Sequence, residues 1–327
     1  MTTSGVYTLS VSRDDIIRES LLNLGKLGDN ESPSATETTD CARKLNMLTR
    51  QWMGKADFAP GLKEWTRKHG DLFLSNSTGK YLLGASGDNW TNQSYGRTTT
   101  ATAAANATAL MVSSITNVSA NDNIGILLDS GTLFWTTVNG APSGSTINLA
   151  SGLTSQASSG AVVYNYTSKA QRPELIETAV LRDQNGNDTP VNLMTLQDYD
   201  FLPSKANASY LSLPQAVYYE RTLTNGTLYL DIAGSSDVTQ YLHFTYMEPT
   251  QVFSNPTDTP YYPETWYRAL CWGLTKEIAP MFNAPFTQDM LSNYQEALAV
   301  ARDLYAENTS MYFEPGNDSR AWSNSSR

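Results

Sequence analysis

The chain has 327 residues, only 17% of them charged, and a formal net charge of -10 at pH 7, a profile that suits a folded, β-rich protein with two or three cores and not a disordered chain. The acidic balance argues against wrapping nucleic acid by phosphate neutralisation, although it allows a wall past which DNA slides. No apolar run reaches the roughly 18 residues of a membrane span, the polar opening MTTSGVYTLS is no signal peptide, and Cys41 and Cys271 have neither metal-ligand nor disulfide-framework spacing, so the chain is expected to be made in a cytoplasm with both thiols reduced.

In chain order, Ser12 precedes RDDIIRESLLNLG, with Asp15 three residues on and Gly25 closing the pattern. This spacing predicts a capped helix whose Ile17, Leu21 and Leu24 share a face. In SATETTDCARKLNMLTRQWMGKA, Ser34 and Glu37 form a second capping box. Cys41, Leu45, Leu48 and Trp52 then recur at helical spacing, with Glu37 and Asp40 near the start and Lys55 near the end, as the helix dipole prefers.

From about residue 61 the period changes. DLFLSNSTGKYLLG has Leu72 and Leu74 before a Ser-Thr-Gly turn, with Tyr81 and Leu83 after it, and reads as a hairpin. Residues 98–166 carry Asp122 and Asp129 as their only charges and read as a small β module inserted in a larger antiparallel β region, residues 61–97 and 167–257. Within the module, IGILLDSGTLFWTTV pairs two strands across Asp129-Ser130-Gly131, and TINLA and AVVYNY supply more. The larger region resumes with AVLRDQNGNDTPVNL, a hairpin around Asn185-Gly186, and a short helix at TLQDYDFLP capped by Thr195 and Asp198. AVYYERTLTNGTLYLDI turns at Asn225-Gly226, a type I′ signal, and QYLHFTYM is expected to complete a meander.

A Pro-rich linker leads into YYPETWYRALCWGLTKEIAP, bracketed by Pro263 and Pro280, with Tyr267, Leu270, Cys271, Leu274 and Ile278 on one face. A further helix runs from a Thr287 cap through Leu291, Tyr294, Leu298, Ala301 and Tyr305. These stripes need partners, and the two N-terminal helices are the simplest ones. The expected fold is therefore α+β: a discontinuous four-helix domain from residues 1–60 and 258–308, interrupted by the β region, with a C-terminal arm at 309–327. Leu21, Leu45, Leu48, Trp52, Leu270, Leu274, Ile278 and Leu298 are its expected core.

Signals for catalysis are thin, and no catalytic, cofactor-binding or metal-binding residue is assigned. His243 reads as a strand-face residue, and His69 belongs to a basic patch with Lys63, Arg67 and Lys68 that suits phosphate, an acidic partner or plain solvent. Cys41 and Cys271 sit on apolar helical faces as small hydrophobes. Asp198 with Asp200, or Glu220 with Asp231, are the carboxylate pairs open to glycosidic chemistry. The tyrosines and Trp135 of the β region suit either a sugar-binding surface or a sheet core.

Three segments carry a family likeness: DIIRESLLNLGKLGDNESPSATETTDCARKLNMLTRQW, YYPETWYRALCWGLTKEIAP and NYQEALAVARDLY. Together they resemble the head-to-tail adaptor (connector, head-completion) proteins of short-tailed bacteriophages over about the first 55 residues and residues 261–308, and NLMTLQDYDFLP and YYERTLTNGTLYLDI look like the β insertions of longer members. The resemblance implies a structural, non-enzymatic virion protein made in the bacterial host cytoplasm and placed in the neck. It implies a twelve-membered ring below the portal protein that lengthens the DNA channel, seals the filled head and receives tail nozzle or tail fibre proteins. Genomic DNA would pass through without specific binding, and no membrane or cofactor is involved. In the family the helices and C-terminal arm face the portal, which makes Met311, Tyr312, Phe313, Pro315 and Trp322 the expected portal-binding residues. A receptor- or glycan-binding tail protein and a peptidoglycan hydrolase are the alternatives from other classes.

Overall fold

A computed structural model describes residues 5, 7–28, 30–54, 65–203, 205 and 211–303. The chain divides into two compact units, residues 1–64 with 264–327, and residues 65–263. In chain order the elements are α1 (Arg13–Asn23), α2 (Ala35–Gly54), β1 (Arg67–Phe73), β2 (Lys80–Leu83), β3 (Trp90–Thr91), β4 (Tyr95–Thr98), β5 (Ala109–Met111) and β6 (Asn123–Leu127). There follow β7 (Leu133–Thr137), β8 (Thr146–Asn148), β9 (Val162–Tyr166), β10 (Leu175–Arg182), β11 (Asp188–Met194) and α3 (Leu196–Asp200). The last are β12 (Ala216–Glu220), β13 (Gly226–Leu230), β14 (Tyr241–Met247), α4 (Tyr267–Ile278) and α5 (Gln288–Asp303).

The expected architecture, a four-helix domain interrupted by an antiparallel sheet, is corrected. The molecule is mostly one large mixed sheet of eight strands, nearly closed and barrel-like, in the order β2-β13-β12-β11-β10-β14-β1-β3, with five α-helices among the described residues. Its parallel pair is β11 with β12, joined by the crossover that carries α3. Curling follows from the residue pattern: Leu72, Leu83, Leu181, Val217, Leu228, Leu242 and Phe244, drawn from six of the strands, bury their side chains in one interior. A sheet with a single apolar face satisfies it by wrapping around itself, which also shortens the exposed edges.

Two local readings are corrected with it. β1 and β2 do not form a hairpin: β1 pairs with β14 and β3, and β2 pairs with β13. Likewise β14 does not extend a meander from β13 but lies between β10 and β1. Alternation fixes which face of a strand is buried and leaves its partner open. The loop at Asn225-Gly226 is longer than a type I′ turn; the ladder resumes at Glu220 opposite Thr227, neither residue has positive φ, and the Thr222 hydroxyl donates to Asn225 O to close the loop. The hairpins at 129–131 and 185–186 do form, with Leu127 opposite Leu133 and Arg182 opposite Asp188. Gly131 and Gly186 take φ of +78° and +82° there, a region that glycine enters without a Cβ penalty.

Between β3 and β10 the chain builds a second sheet, β4-β9-β6-β7, and the pair β5-β8. Leu110, Ile124, Ile126, Ile147 and Val163 form a core of its own here. On the other face of that sheet, Tyr164, Tyr166 and Trp135 surround Phe73 of β1 at centroid distances of 4.8, 6.3 and 5.0 Å.

In the other unit, α4 packs on α1, α2 and α5. Ser20 Oγ lies 2.7 Å from Ile16 O and 3.0 Å from Cys271 O, tying α1 to α4. Leu21, Leu45, Leu48, Trp52, Leu270, Leu274 and Ile278 are at most 4% exposed, whereas Leu298 is half-buried and α5 buries Ala297 and Ala301. Gly273 allows the close approach of α2: a Cβ there would stand 2.9 Å from Leu48 Cδ2 and 3.0 Å from Trp52 Cζ2. Gly273→Val is therefore expected to destabilise by about 1–3 kcal/mol through overpacking. Adding Leu48→Ala should return part of that loss, a coupling of roughly 0.5–3 kcal/mol in a double-mutant cycle measured by urea unfolding. Strict additivity would show that the two sites do not press on one another.

The predicted caps of α1 and α2 are both formed. Ser12 Oγ accepts from Asp15 N–H at 3.2 Å while the Asp15 carboxylate accepts from Ser12 N–H at 2.9 Å, and Ser34 and Glu37 repeat the exchange at 3.3 and 2.9 Å. Gly25 follows at φ +65° with Lys26 N–H bonded to Leu21 O, ending α1. The Ser12 side-chain bond first, and its backbone bond second, hold the Asp15 carboxyl below its ordinary value; for Glu37 the Ser34 backbone bond leads. A depressed carboxyl contributes stability above its unfolded value and loses it as pH falls through the folded one. Ser12→Ala should thus cost about 1 kcal/mol at neutral pH, and the difference from wild type should shrink as the pH is lowered past the carboxylate range. A difference that is constant with pH would contradict the cap as its source.

Candidate functional site

The expected portal-binding residues Met311, Tyr312, Phe313, Pro315 and Trp322 lie outside the described residues. The expected helical-core residues are packing positions and do not converge on a cleft. Sequence reasoning missed a polar cluster on the outward face of the large sheet. The antiparallel register of β1 and β14 sets Asp71 opposite His243 and His69 opposite Thr245, while Leu72 and Leu242 point inward between them. Asp71 Oδ1 lies 2.6 Å from His243 Nδ1, and Asp71 Oδ2 accepts from Ser94 Oγ at 2.5 Å. The His69 ring stacks on His243 at 5.3 Å and 15°. Separation of 172 residues hides this pair from any local pattern; the available signal was the polar side chains at alternate positions, His69 and Asp71 in one strand and His243 and Thr245 in the other, with Leu72, Leu242 and Phe244 between or beside them.

Chemically the cluster is a carboxylate that fixes an imidazole. The Ser94 hydroxyl donates to that same carboxylate and not to the imidazole, so the hydrogen bond between nucleophile and base that acyl-transfer chemistry uses is not made.

Beside the cluster runs an open groove of about 620 Å³ lined by β4, the β10–β11 turn, Ser94, Tyr164 and Tyr241. Its charged groups are already engaged. Arg182 makes a two-pronged pair with Asp188 at 2.7 and 2.8 Å, and Asp183 accepts from the backbone N–H groups of Asn185 and Asn187 and from Asn187 Nδ2. Those Asn187 bonds, side chain first, hold the Asp183 carboxyl below its ordinary value, and burial pushes the Tyr241 phenol up. The lining thus suits hydroxyl- and amide-rich ligands more than ions.

The other candidates separate. Asp198 accepts from the Thr195 hydroxyl and N–H as a helix cap, and Asp200 Oδ1 lies 3.7 Å from Lys205 Nζ. Glu220 sits opposite Thr227 while Asp231 N–H bonds Ala216 O, four residues along the strand; that is roughly 13 Å of strand rise, beyond the roughly 5–9.5 Å that paired glycosidase carboxylates need. Burial pushes the thiols of Cys41 and Cys271 up to about 11 and about 12, so neither is a thiolate near neutral pH. Of the basic patch, Arg67 pairs with Glu177 at 2.7 Å and Lys68 lies 5.7 Å from the Tyr261 ring, while Lys63 is outside the described residues. Trp135 belongs to the Phe73 cluster. Tyr199, Tyr218 and Tyr229 form an outward stack with centroids 5.1–5.8 Å apart, flanked by Lys205 and Lys80. Set against models of known protein families this chain matches none, and a search of curated proteins likewise finds no match.

Proposed function

We propose that this chain is a structural virion protein, a head-to-tail adaptor of a short-tailed bacteriophage that assembles as a ring on the portal, extends the DNA channel and offers its β surface to tail nozzle or fibre proteins. The observation that supports it is the compaction of both chain ends into one unit, with α4 seated on α1, α2 and α5, because the segments that resemble the adaptor family lie in these two separated stretches. Electron microscopy of the purified chain mixed with its portal tests the reading: rings seated on the portal are expected, and particles that neither form rings nor bind portal overturn it.

Charge gives a second test. A twelve-membered ring would carry twelve times the chain's -10, and a channel wall with fixed positive charge would hold DNA in place of letting it slide. Duplex DNA is expected to bind only weakly at physiological salt, with a Kd at or above the roughly 10⁻⁴–10⁻⁶ M of ordinary non-specific binding. Nanomolar binding in a filter assay would contradict the passage role. The groove beside Tyr241, with its engaged charges and amide-rich lining, favours glycan binding as the second reading; specific retention on a glycan array by a chain that ignores portal would select it.

A further inference from the structure

Just ahead of α1, Tyr7, Leu9 and Val11 alternate with Thr8, Ser10 and Ser12, the period-two pattern of a half-buried strand. Yet this segment forms no strand here. Tyr7 is 93% and Leu9 57% exposed. Leu9 N–H is bonded to Glu264 Oε1 at 2.9 Å, and Tyr7, Thr8, Ser10 and Val11 make no hydrogen bond among the described residues. An alternating segment whose Tyr7 and Leu9 stand largely exposed, with Val11 half-buried, is a donor without a sheet among the described residues.

The same chain carries an acceptor. β7 is the outer strand of its sheet and pairs only with β6. Val138 N–H bonds Asp122 O on the β6 side, so by alternation the backbone groups of Leu133 and Trp135 point away from the sheet. Among the described residues those groups have no hydrogen-bond partner, and the edge is covered at its C-terminal end, where Thr137 C=O accepts from Ala150 N–H, Thr136 Oγ1 accepts from Ser151 N–H and Val138 bridges Leu149. The strand reads LFWTT, half-buried from Leu133 to Thr136, with no charge, proline or bulge to blunt it. Natural edges of this kind are normally protected.

We propose that residues 7–11 of one copy add as a strand to the Leu133–Trp135 edge of β7 in a second copy. The donor is long enough to span the free edge and neither segment carries a charge, so pairing desolvates no ion, and the added strand would complete the edge hydrogen bonds while covering Tyr7 and Leu9. Each copy gives one strand and receives one, which is a head-to-tail contact of the kind that closes rings. The inference rests on the adaptor reading only in requiring that copies of the chain associate.

The test uses the full chain with Tyr7→Asp and Leu9→Asp together. Both side chains are exposed, so the thermal unfolding transition should not move, while native mass spectrometry should show the assembly weakened at least tenfold. In a second arm, two single variants, Leu9→Cys and Leu133→Cys, are mixed and oxidised; a disulfide-linked heterodimer should form in the mixture and not in either variant alone. An assembly that tolerates both aspartates and gives no mixed cross-link overturns strand exchange and leaves the ring reading standing. A cross-link that forms only within one chain, when both cysteines are placed in the same copy, also overturns it. A wild-type chain that remains monomeric at every concentration overturns both.

Discussion

Replacing Trp90 by alanine is expected to cost about 3–5 kcal/mol, the largest loss from any single side chain of the large sheet. Trp90 is fully buried on β3, opposite Leu72 of β1. Its ring packs against Tyr246 at 5.0 Å and edge-on to Phe244 at 5.7 Å, and its Nε1–H donates to Gln171 O at 3.1 Å. Gly70 is the floor of this site: a Cβ there would lie 2.3 Å from the indole. Truncation therefore leaves a cavity and an unmet carbonyl in the same place. Gly70→Val should fail for the converse reason, by driving backbone and indole apart. Phe201→Ala, at a position 75% exposed, is the control and should stay within about 0.5 kcal/mol. Urea unfolding followed by tryptophan fluorescence and far-UV circular dichroism measures all three, and a Trp90→Ala loss below 1 kcal/mol would show that β3 does not hold the sheet together.

Trp90 also shows where the sequence was legible and where it was not. Features set by residues three or four apart could be read: the boxes at Ser12–Asp15, Ser34–Glu37 and Thr195–Asp198 form, and so do the tight turns at Gly131 and Gly186. Strand pairing could not. The segment Leu72 to Leu83 looks like a hairpin because a Ser-Thr-Gly turn sits between two alternating runs, yet its halves pair with β14 and β13, more than 140 residues downstream. Alternation places a side chain on a face; which strand lies alongside depends on the closure of the whole sheet. The weight of the architecture was misjudged for the same reason, since helices announce themselves locally and a barrel does not. The Asp71–His243 pair shares this origin, being created by register alone. The expected portal contacts, Met311 to Trp322, are outside the described residues.

Arg97→Met is expected to cost about 3–5 kcal/mol, as removal of one member of a buried charged network does. Arg97 enters the module from β4 and is 8% exposed; Asp122 and Asn165 are 1% and 0% exposed. Arg97 Nη1 donates to Ser114 O and Thr116 O, and Nη2 to Asn165 Oδ1. Asn165 Nδ2 in turn donates to Asn117 O at 2.8 Å and Asp122 Oδ2 at 3.2 Å, and Asp122 Oδ2 also accepts from Ser119 N–H at 2.8 Å. Asn165 thus stands between the two charges. Burial lowers the Arg97 value, and the Asp122 carboxylate acts against that shift. Taking away the guanidinium leaves the Asp122 charge buried without its counterion and three acceptors unmet, which is why the loss should exceed that of an exposed ion pair. A second substitution separates charge from packing. Asp122→Asn placed on top of Arg97→Met removes the stranded charge, so the double variant should be less destabilised than the sum of the two singles, by at least about 1 kcal/mol. If the two losses simply add, Arg97 acts through its three neutral acceptors alone, and the module is held by hydrogen bonds without an electrostatic contribution across Asn165.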